Sequence, residues 1–307
     1  MKVIELSGVS KVFSGRSVLN RVSFSVTEGE VFGLLGPNGA GKTTSMRIIL
    51  GLLRPTSGTA LVKGADLATN DEARREVGVL MENDGLYDRI SAQQNLDYYA
   101  RLYGVKGREA RIDRLLTQFG LADRRNDMVF TFSKGMRRKL GIARAIIHDP
   151  EILLLDEPTS GLDPEAQKMV RDVLLDLARR ERITVLLSSH NLDEVQRMCA
   201  RVAVIKAGEL RAYDTVENLR GDGKGHTLDI SASDEGDAAR AEDLLRNLPE
   251  VTTISRTGAD IRLSTSIDSA APVITSLVAA GIRLEEVRRI SRSLEDVYID
   301  LVKEESA

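Results

Sequence analysis

Apolar residues fall along this chain in two periods. Short β-branched or continuous apolar runs come first, at residues 3–6, 22–26 and 30–35, each bounded by Gly, Ser or Asn. Runs of this length and composition predict strands. The third passes straight into a glycine-rich turn, and a helix is predicted after it over residues 42–50. Between Ser91 and about Gly120 the period changes: Leu96, Tyr99, Ala100, Leu102 and Tyr103 recur near the helical repeat, and a second helix is predicted over 108–119. A helix at 134–147 leads to a buried strand at 152–155, and a helix at 165–179 leads to a strand at 183–187. Strands alternating with helices predict a mostly parallel sheet.

The pattern breaks at Gly221-Asp222-Gly223-Lys224-Gly225, a linker-like stretch. Residues 1–220 carry 33 basic and 29 acidic side chains, and the remainder carries 10 and 17. This change of sign predicts two units, 1–220 and 226–307. The tail reads as strand 226–231, helix 237–247, strands 251–255 and 260–264, helix 270–280 and strand 283–287. That β-α-β-β-α-β order predicts a small α+β, ferredoxin-like domain, followed by a helix at 294–302. No repeat or low-complexity tract is visible.

Composition narrows the function classes. With 42% hydrophobic and 29% charged residues the chain can build a packed core. A net charge of -3 argues against a nucleic-acid binder held by bulk charge. The single cysteine, Cys199, excludes an intrachain disulfide, fits a reducing compartment and reads as buried packing. The longest apolar runs fall far short of the ~18 residues of a spanning helix. Residues 1–5 lack a signal-peptide pattern. Any membrane role is therefore expected through a partner.

Two elements carry chemistry. Gly36-Pro37-Asn38-Gly39-Ala40-Gly41-Lys42-Thr43-Thr44 fits the phosphate-loop pattern, placed between a predicted strand and a predicted helix. Its glycines let main-chain N–H groups turn inward around phosphate oxygens, and the helix N-terminus adds a favourable field. Lys42 is expected at the β- and γ-phosphates, and the Thr43 hydroxyl on Mg²⁺. The second element is the run Ile152-Leu153-Leu154-Leu155-Asp156-Glu157. An apolar strand ending in a carboxylate puts that carboxylate at the carboxyl edge of the sheet, where nucleotides bind. Asp156 is expected to hold Mg²⁺, and Glu157 to polarise the attacking water.

Between and after these elements stand Phe132-Ser133-Lys134-Gly135-Met136, Ser160-Gly161-Leu162-Asp163 and His190. In this order the chain resembles the ATP-binding-cassette (ABC) ATPases over about residues 2–220. The resemblance implies a P-loop fold with a parallel core, an antiparallel β subdomain and a helical subdomain. Ser133 and Gly135 match the family's signature motif, usually Leu-Ser-Gly-Gly-Gln; Phe132, Lys134 and Met136 depart from it. His190 matches the histidine that contacts the γ-phosphate. The resemblance further implies a head-to-tail homodimer in which Ser133 and Gly135 of one copy cap the ATP held by the other. Asp163 belongs to the nucleotide-binding set by the same match. Phe13 takes the place of the aromatic that stacks on adenine, with a core aromatic as the alternative.

At Glu82 the family usually has a glutamine that touches Mg²⁺ and senses the transmembrane partner; Glu82 adds a full charge there, and either metal or permease remains open as its neighbour. The segment after it, Asn83-Asp84-Gly85-Leu86-Tyr87, and Leu294-Glu295-Asp296-Val297-Tyr298 in the tail are similar to ATP-binding subunits of drug, antibiotic or lipid exporters. A separately encoded permease, a place on the cytoplasmic face of the membrane and a regulatory or dimer-stabilising tail are implied. Two other readings stand beside this one: an importer subunit, and a cassette protein acting on ribosomes or DNA. A single cassette, one Cys and no long heptad run weigh against the latter.

Overall fold

In the computed structural model, residues 1–220, 227–267, 269–290 and 294–303 are described. The chain divides into two compact units, Met1–Tyr213 and Asp214–Ala307. The linker-like stretch at 221–225 and the predicted strand start at His226 lie outside the described residues.

The first unit opens with a long antiparallel hairpin, β1 (Lys2–Phe13) and β2 (Arg16–Thr27). β3 (Val31–Leu35) follows and delivers the chain to α1 (Lys42–Ile49). β4 (Ser57–Val62) pairs with the free side of β1, giving a three-stranded sheet of order β2-β1-β4. The short α2 (Asp71–Arg74) precedes β5 (Val77–Leu80). Three helices come next: α3 (Ala92–Leu102), α4 (Arg108–Gln118) and α5 (Lys134–Ala145). Then β6 (Ile152–Asp156), α6 (Pro164–Arg180), β7 (Thr184–Ser189), α7 (Leu192–Met198), β8 (Arg201–Lys206) and β9 (Glu209–Thr215) complete the unit.

The second sheet has order β5-β6-β7-β3-β8-β9, parallel from β5 through β8. Every residue of β3, β6 and β7 is buried, as expected of parallel strands covered on both faces. Register fixes the site. Asp156 lies beside Ser188, and Leu34 and Leu35 lie beside Ser188 and Ser189. The three central strands therefore end level with one another at the carboxyl edge.

The continuous helical pattern of residues 91–120 resolves into two helices. Ser91 caps α3 in a reciprocal capping box with Gln94, and Gly107, in the left-handed region, starts α4. Four strands and two helices of this unit were not predicted: β4, β5, β8, β9, α2 and α7. β4 begins exposed, and β5 has only four residues, one of them Gly78. Cys199 is buried, as its apolar surroundings suggested.

The second unit begins with the short α8 (Val216–Leu219). β10 (Thr227–Ala232), α9 (Glu235–Arg246), β11 (Val251–Thr257), β12 (Asp260–Thr265), α10 (Ala271–Ala279) and β13 (Leu284–Ile290) follow, and α11 (Leu294–Lys303) ends it. Its sheet is antiparallel with order β11-β12-β10-β13, the split β-α-β arrangement expected from the sequence. Alternation sends Leu228, Ile230, Ile261 and Leu263 inward against Ala241, Leu245, Val273 and Leu277 of the two helices.

Candidate functional site

β3 ends at the carboxyl edge, and the chain turns there through residues 36–41 into α1. A Cβ on Gly36 would lie 2.2 Å from the Ile205 carbonyl oxygen, and one on Gly41 2.5 Å from Leu19 Cδ2. Only glycine fits at either point. Gly41 is also the N-cap of α1 and supplies no side-chain partner. The first N–H groups of the helix thus remain available to an anion.

The side chains of this turn meet those at the ends of β6 and β7. Lys42, only 6% exposed, donates to the carbonyls of Gly36 (2.7 Å) and Pro37 (3.3 Å) and lies 3.5 Å from Glu157 Oε1. Thr43 Oγ1 donates to Asp156 Oδ2 at 2.8 Å, and Ser188 Oγ donates to Asp156 Oδ1 at 2.5 Å. Ser188 Oγ also accepts the Glu157 N–H at 3.0 Å. His190 Nδ1 stands 2.6 Å from Glu157 Oε2. Glu157 itself has φ 52, a left-handed conformation unusual for a non-glycine residue.

An open cavity of about 900 Å³ lies over these groups. Its wall includes residues 37–44, Asp156, Glu157, Ser160 and His190, and Glu82 joins them. Glu82 is thus on the wall that Thr43 and Asp156 share, and it is exposed. Four further cations, Arg16, Lys134, Arg137 and Arg138, also face the cavity.

Other expected residues stand apart from this wall. Phe13 is 44% exposed under the Lys11 ammonium, which lies 4.9 Å from its ring centroid. That exposure overturns the core-aromatic alternative; its hairpin neighbours Ser17 and Val18 line the cavity, and Phe13 does not. Ser133 and Gly135 are likewise off the wall, although Lys134 between them is on it. Ser133 is the N-cap of α5 and accepts the Met136 N–H at 3.2 Å. Asp163 is the N-cap of α6 and accepts the Ala166 N–H at 2.9 Å. That bond, first among several, holds the Asp163 carboxyl below its ordinary range.

Sequence reasoning missed two residues, Ser188 and Arg138. Ser188 could have been found as a hydroxyl at the end of a buried strand two residues before His190. Arg138 belongs to an Arg-Arg pair in the first turns of a helix, where cations oppose the helix dipole and call for another reason to be there. Its guanidinium donates to main-chain carbonyls around Glu157, and burial lowers its pKa.

The oxygen donors at the end of the loop suit a hard cation. Among the described residues no group of three or more His, Cys, Asp or Glu could hold a metal alone. One hydroxyl and one carboxylate, 2.8 Å apart, supply two hard oxygens instead. Mg²⁺ is commonly bound in this way, by one or two protein oxygens with the rest from water and substrate phosphates. Thr43 and Asp156 fit it.

A glycine cradle at a helix N-terminus, a lysine within it and a strand-end Asp-Glu pair define a P-loop nucleoside triphosphatase. Comparison with known proteins narrows the class. The ABC transporter family model matches residues 19–160. YhcH of Bacillus subtilis, an uncharacterised ABC transporter ATP-binding protein, is 38% identical over 98% of this chain and 96% of its own length. The daunorubicin/doxorubicin resistance ATP-binding protein DrrA of Streptomyces peucetius is 36% identical over 98% of this chain and 92% of its own. An ATP-binding cassette solved as a dimer after hydrolysis, with ADP and Pi, superposes with a TM-score of 0.64 at 25% identity, covering 69% of this chain and 98% of that one. The chain belongs to the ATP-binding subunits of ABC transporters and is an ATPase.

Proposed function

We propose that this chain is the motor of an exporter, held on the cytoplasmic face of a membrane by a separately encoded permease and paired with a second copy of itself. The observation that carries the reading is the meeting of Lys42, Asp156, Glu157 and His190 at one sheet edge. The resistance role of the Streptomyces relative supports export of a drug, antibiotic, lipid or similar cargo. No helix among the described residues is long and apolar enough to cross a membrane, and the path is assigned to the permease. The transporter relatives set aside the reading of a cassette acting on ribosomes or DNA.

The phosphate loop, residues 36–44, binds the ATP phosphates through its N–H groups and Lys42. Thr43 and Asp156 would hold Mg²⁺, and Glu82 lines the same cavity. When bound, the cation offsets the charge of the β- and γ-phosphates. Ser188 and Thr43 orient the Asp156 carboxylate. Glu157 draws a proton from the attacking water, and His190, hydrogen-bonded to it, faces the γ-phosphate. Phe13 stacks on adenine. Ser133, Gly135 and Asp163 act on the partner's nucleotide, which suits their place off the cavity wall of their own chain. The second unit is an accessory, regulatory domain.

The permease is expected on an aromatic surface beside the Glu82 segment. Tyr87, Tyr98, Leu102, Met128 and Phe130 are all exposed there. Tyr87 and Tyr98 meet edge to face at 5.0 Å, and the Phe130 N–H is bonded to the Asp88 carbonyl at 3.1 Å.

Mixing Lys42→Ala and Ser133→Arg subunits tests the shared site. Each variant alone leaves no intact composite site, and the heterodimer regains one. Recovered hydrolysis supports the reading; heterodimers that form and stay inactive contradict it.

A further inference from the structure

Arg138 commits its guanidinium to main-chain oxygens. Nε donates to the Pro158 carbonyl at 3.1 Å and Nη1 to the Met81 carbonyl at 3.3 Å. Nη2 donates to the carbonyls of both Asp156 and Glu157. Arg137, its neighbour, instead pairs with the carboxylates of Asp84 and Asp88. Three consecutive carbonyls on one rigid, planar donor fix the peptide planes on both sides of Glu157.

Those planes need holding. Glu157 sits at φ 52, a left-handed conformation that a non-glycine residue keeps only where its surroundings enforce it. Its N–H is fixed by Ser188 Oγ at 3.0 Å. Its carbonyl receives the Ser160 N–H at 3.2 Å as well as Arg138. Ser188 thus secures the entry to the residue and Arg138 the exit. A neutral, shorter side chain at 138 would take the guanidinium from the carbonyls of 156, 157 and 158 and from that of Met81, and the carboxylate they aim would swing away from Lys42 and His190.

We infer that Arg138 is a positioning residue for ATP hydrolysis: it holds the main chain of residues 156–158 so that the Glu157 carboxylate stays aimed between Lys42 and His190. The same guanidinium ties this turn, through Met81, to the segment that carries Glu82. The inference rests on the reading of Glu157 as the base that activates water. It makes Arg138 act through Glu157 and not on the nucleotide.

The test is a double-mutant cycle in the purified full chain, read by single-turnover hydrolysis and by binding of a fluorescent ATP analogue. Arg138→Met is expected to slow hydrolysis roughly 10–100-fold, the scale of a misplacement of about 1 Å, with nucleotide affinity held within about twofold. Arg138→Lys, whose ammonium cannot span the carbonyls, recovers only part of the rate. Arg138→Gln, which keeps two amide donors, serves where Arg138→Met does not fold. In the Glu157→Gln background, Arg138→Met is expected to cause no further loss, because the group it positions is already gone. Wild-type hydrolysis by both Arg138→Met and Arg138→Gln overturns the inference. So does an equal loss in both backgrounds, which marks a general structural role. Wild-type hydrolysis by Glu157→Gln overturns the base reading itself and this inference with it, and is told apart from the other outcomes by that single variant.

Discussion

Lowering the pH should destabilise the first unit through one side chain, His148. Its ring stacks on Tyr103, with centroids 3.9 Å apart and planes 7° apart. Among the described residues neither ring nitrogen has a partner in hydrogen-bonding geometry. Burial, first of all, pushes its pKa down to about 4; the backbone at Val77 and the Asp149 carboxylate oppose the shift, and Arg144 and Arg111 add to it. The unfolded chain takes up this proton near the ordinary value of about 6.5. Between the two values the unfolded state binds more protons, so stability is full above pH 6.5 and falls as pH drops toward 4. From pH 7 to pH 5 the loss is about 2 kcal/mol, and the limit below pH 4 is about 3 kcal/mol. For a unit of this size that is a fall in Tm of roughly 4–8 °C. Other groups titrate in the same range, so the assay is calorimetry at pH 7 and pH 5 on wild type and on His148→Phe, which keeps the stack without the proton. The variant should lose about 2 kcal/mol less between the two pH values. Equal losses in the two proteins would refute the reasoning.

Ser188→Ala removes a charge-assisted bond to Asp156 and the acceptor of the Glu157 N–H; it should cost about 2–4 kcal/mol of stability, read by thermal unfolding, and an unchanged Tm would dismiss this role. Glu82→Gln removes a negative charge from the wall that Thr43 and Asp156 share. It should weaken the dependence of hydrolysis on free Mg²⁺ or shift the balance between Mg²⁺ and Mn²⁺, with turnover largely kept. Superimposable titrations would remove Glu82 from the metal, and loss of permease stimulation alone would place it at the coupling surface.

Much of the site was legible because its parts are local. The phosphate loop is one continuous turn between a strand and a helix, and Asp156-Glu157 ends one apolar strand. Periodicity found the long helices and the second unit's element order from β10 to α11, since alternation in β10 and β12 is regular, but not the short α8. It failed where strands are short or exposed, as in β4 and β5. The residues that were missed act across elements. Ser188 reaches Asp156 because β6 and β7 lie in register, and Arg138 reaches Glu157, just past β6, from α5. Neither contact has a signature in the spacing of the chain. Phe13 shows the opposite limit: it read equally as an adenine-stacking or as a core aromatic, and its exposure sets aside the core reading.

In the proposed function Glu157 activates the water that attacks ATP. Its carboxylate lies between Lys42 at 3.5 Å and His190 at 2.6 Å. Glu157→Gln keeps the shape of the side chain and removes the charge that accepts a proton. The direct measurement is steady-state ATP hydrolysis alongside ATP binding and subunit assembly for this variant. The expected result is retained binding, a fall in turnover on the order of 10²–10⁴-fold and accumulation of an ATP-bound dimer. Hydrolysis at the wild-type rate would contradict it.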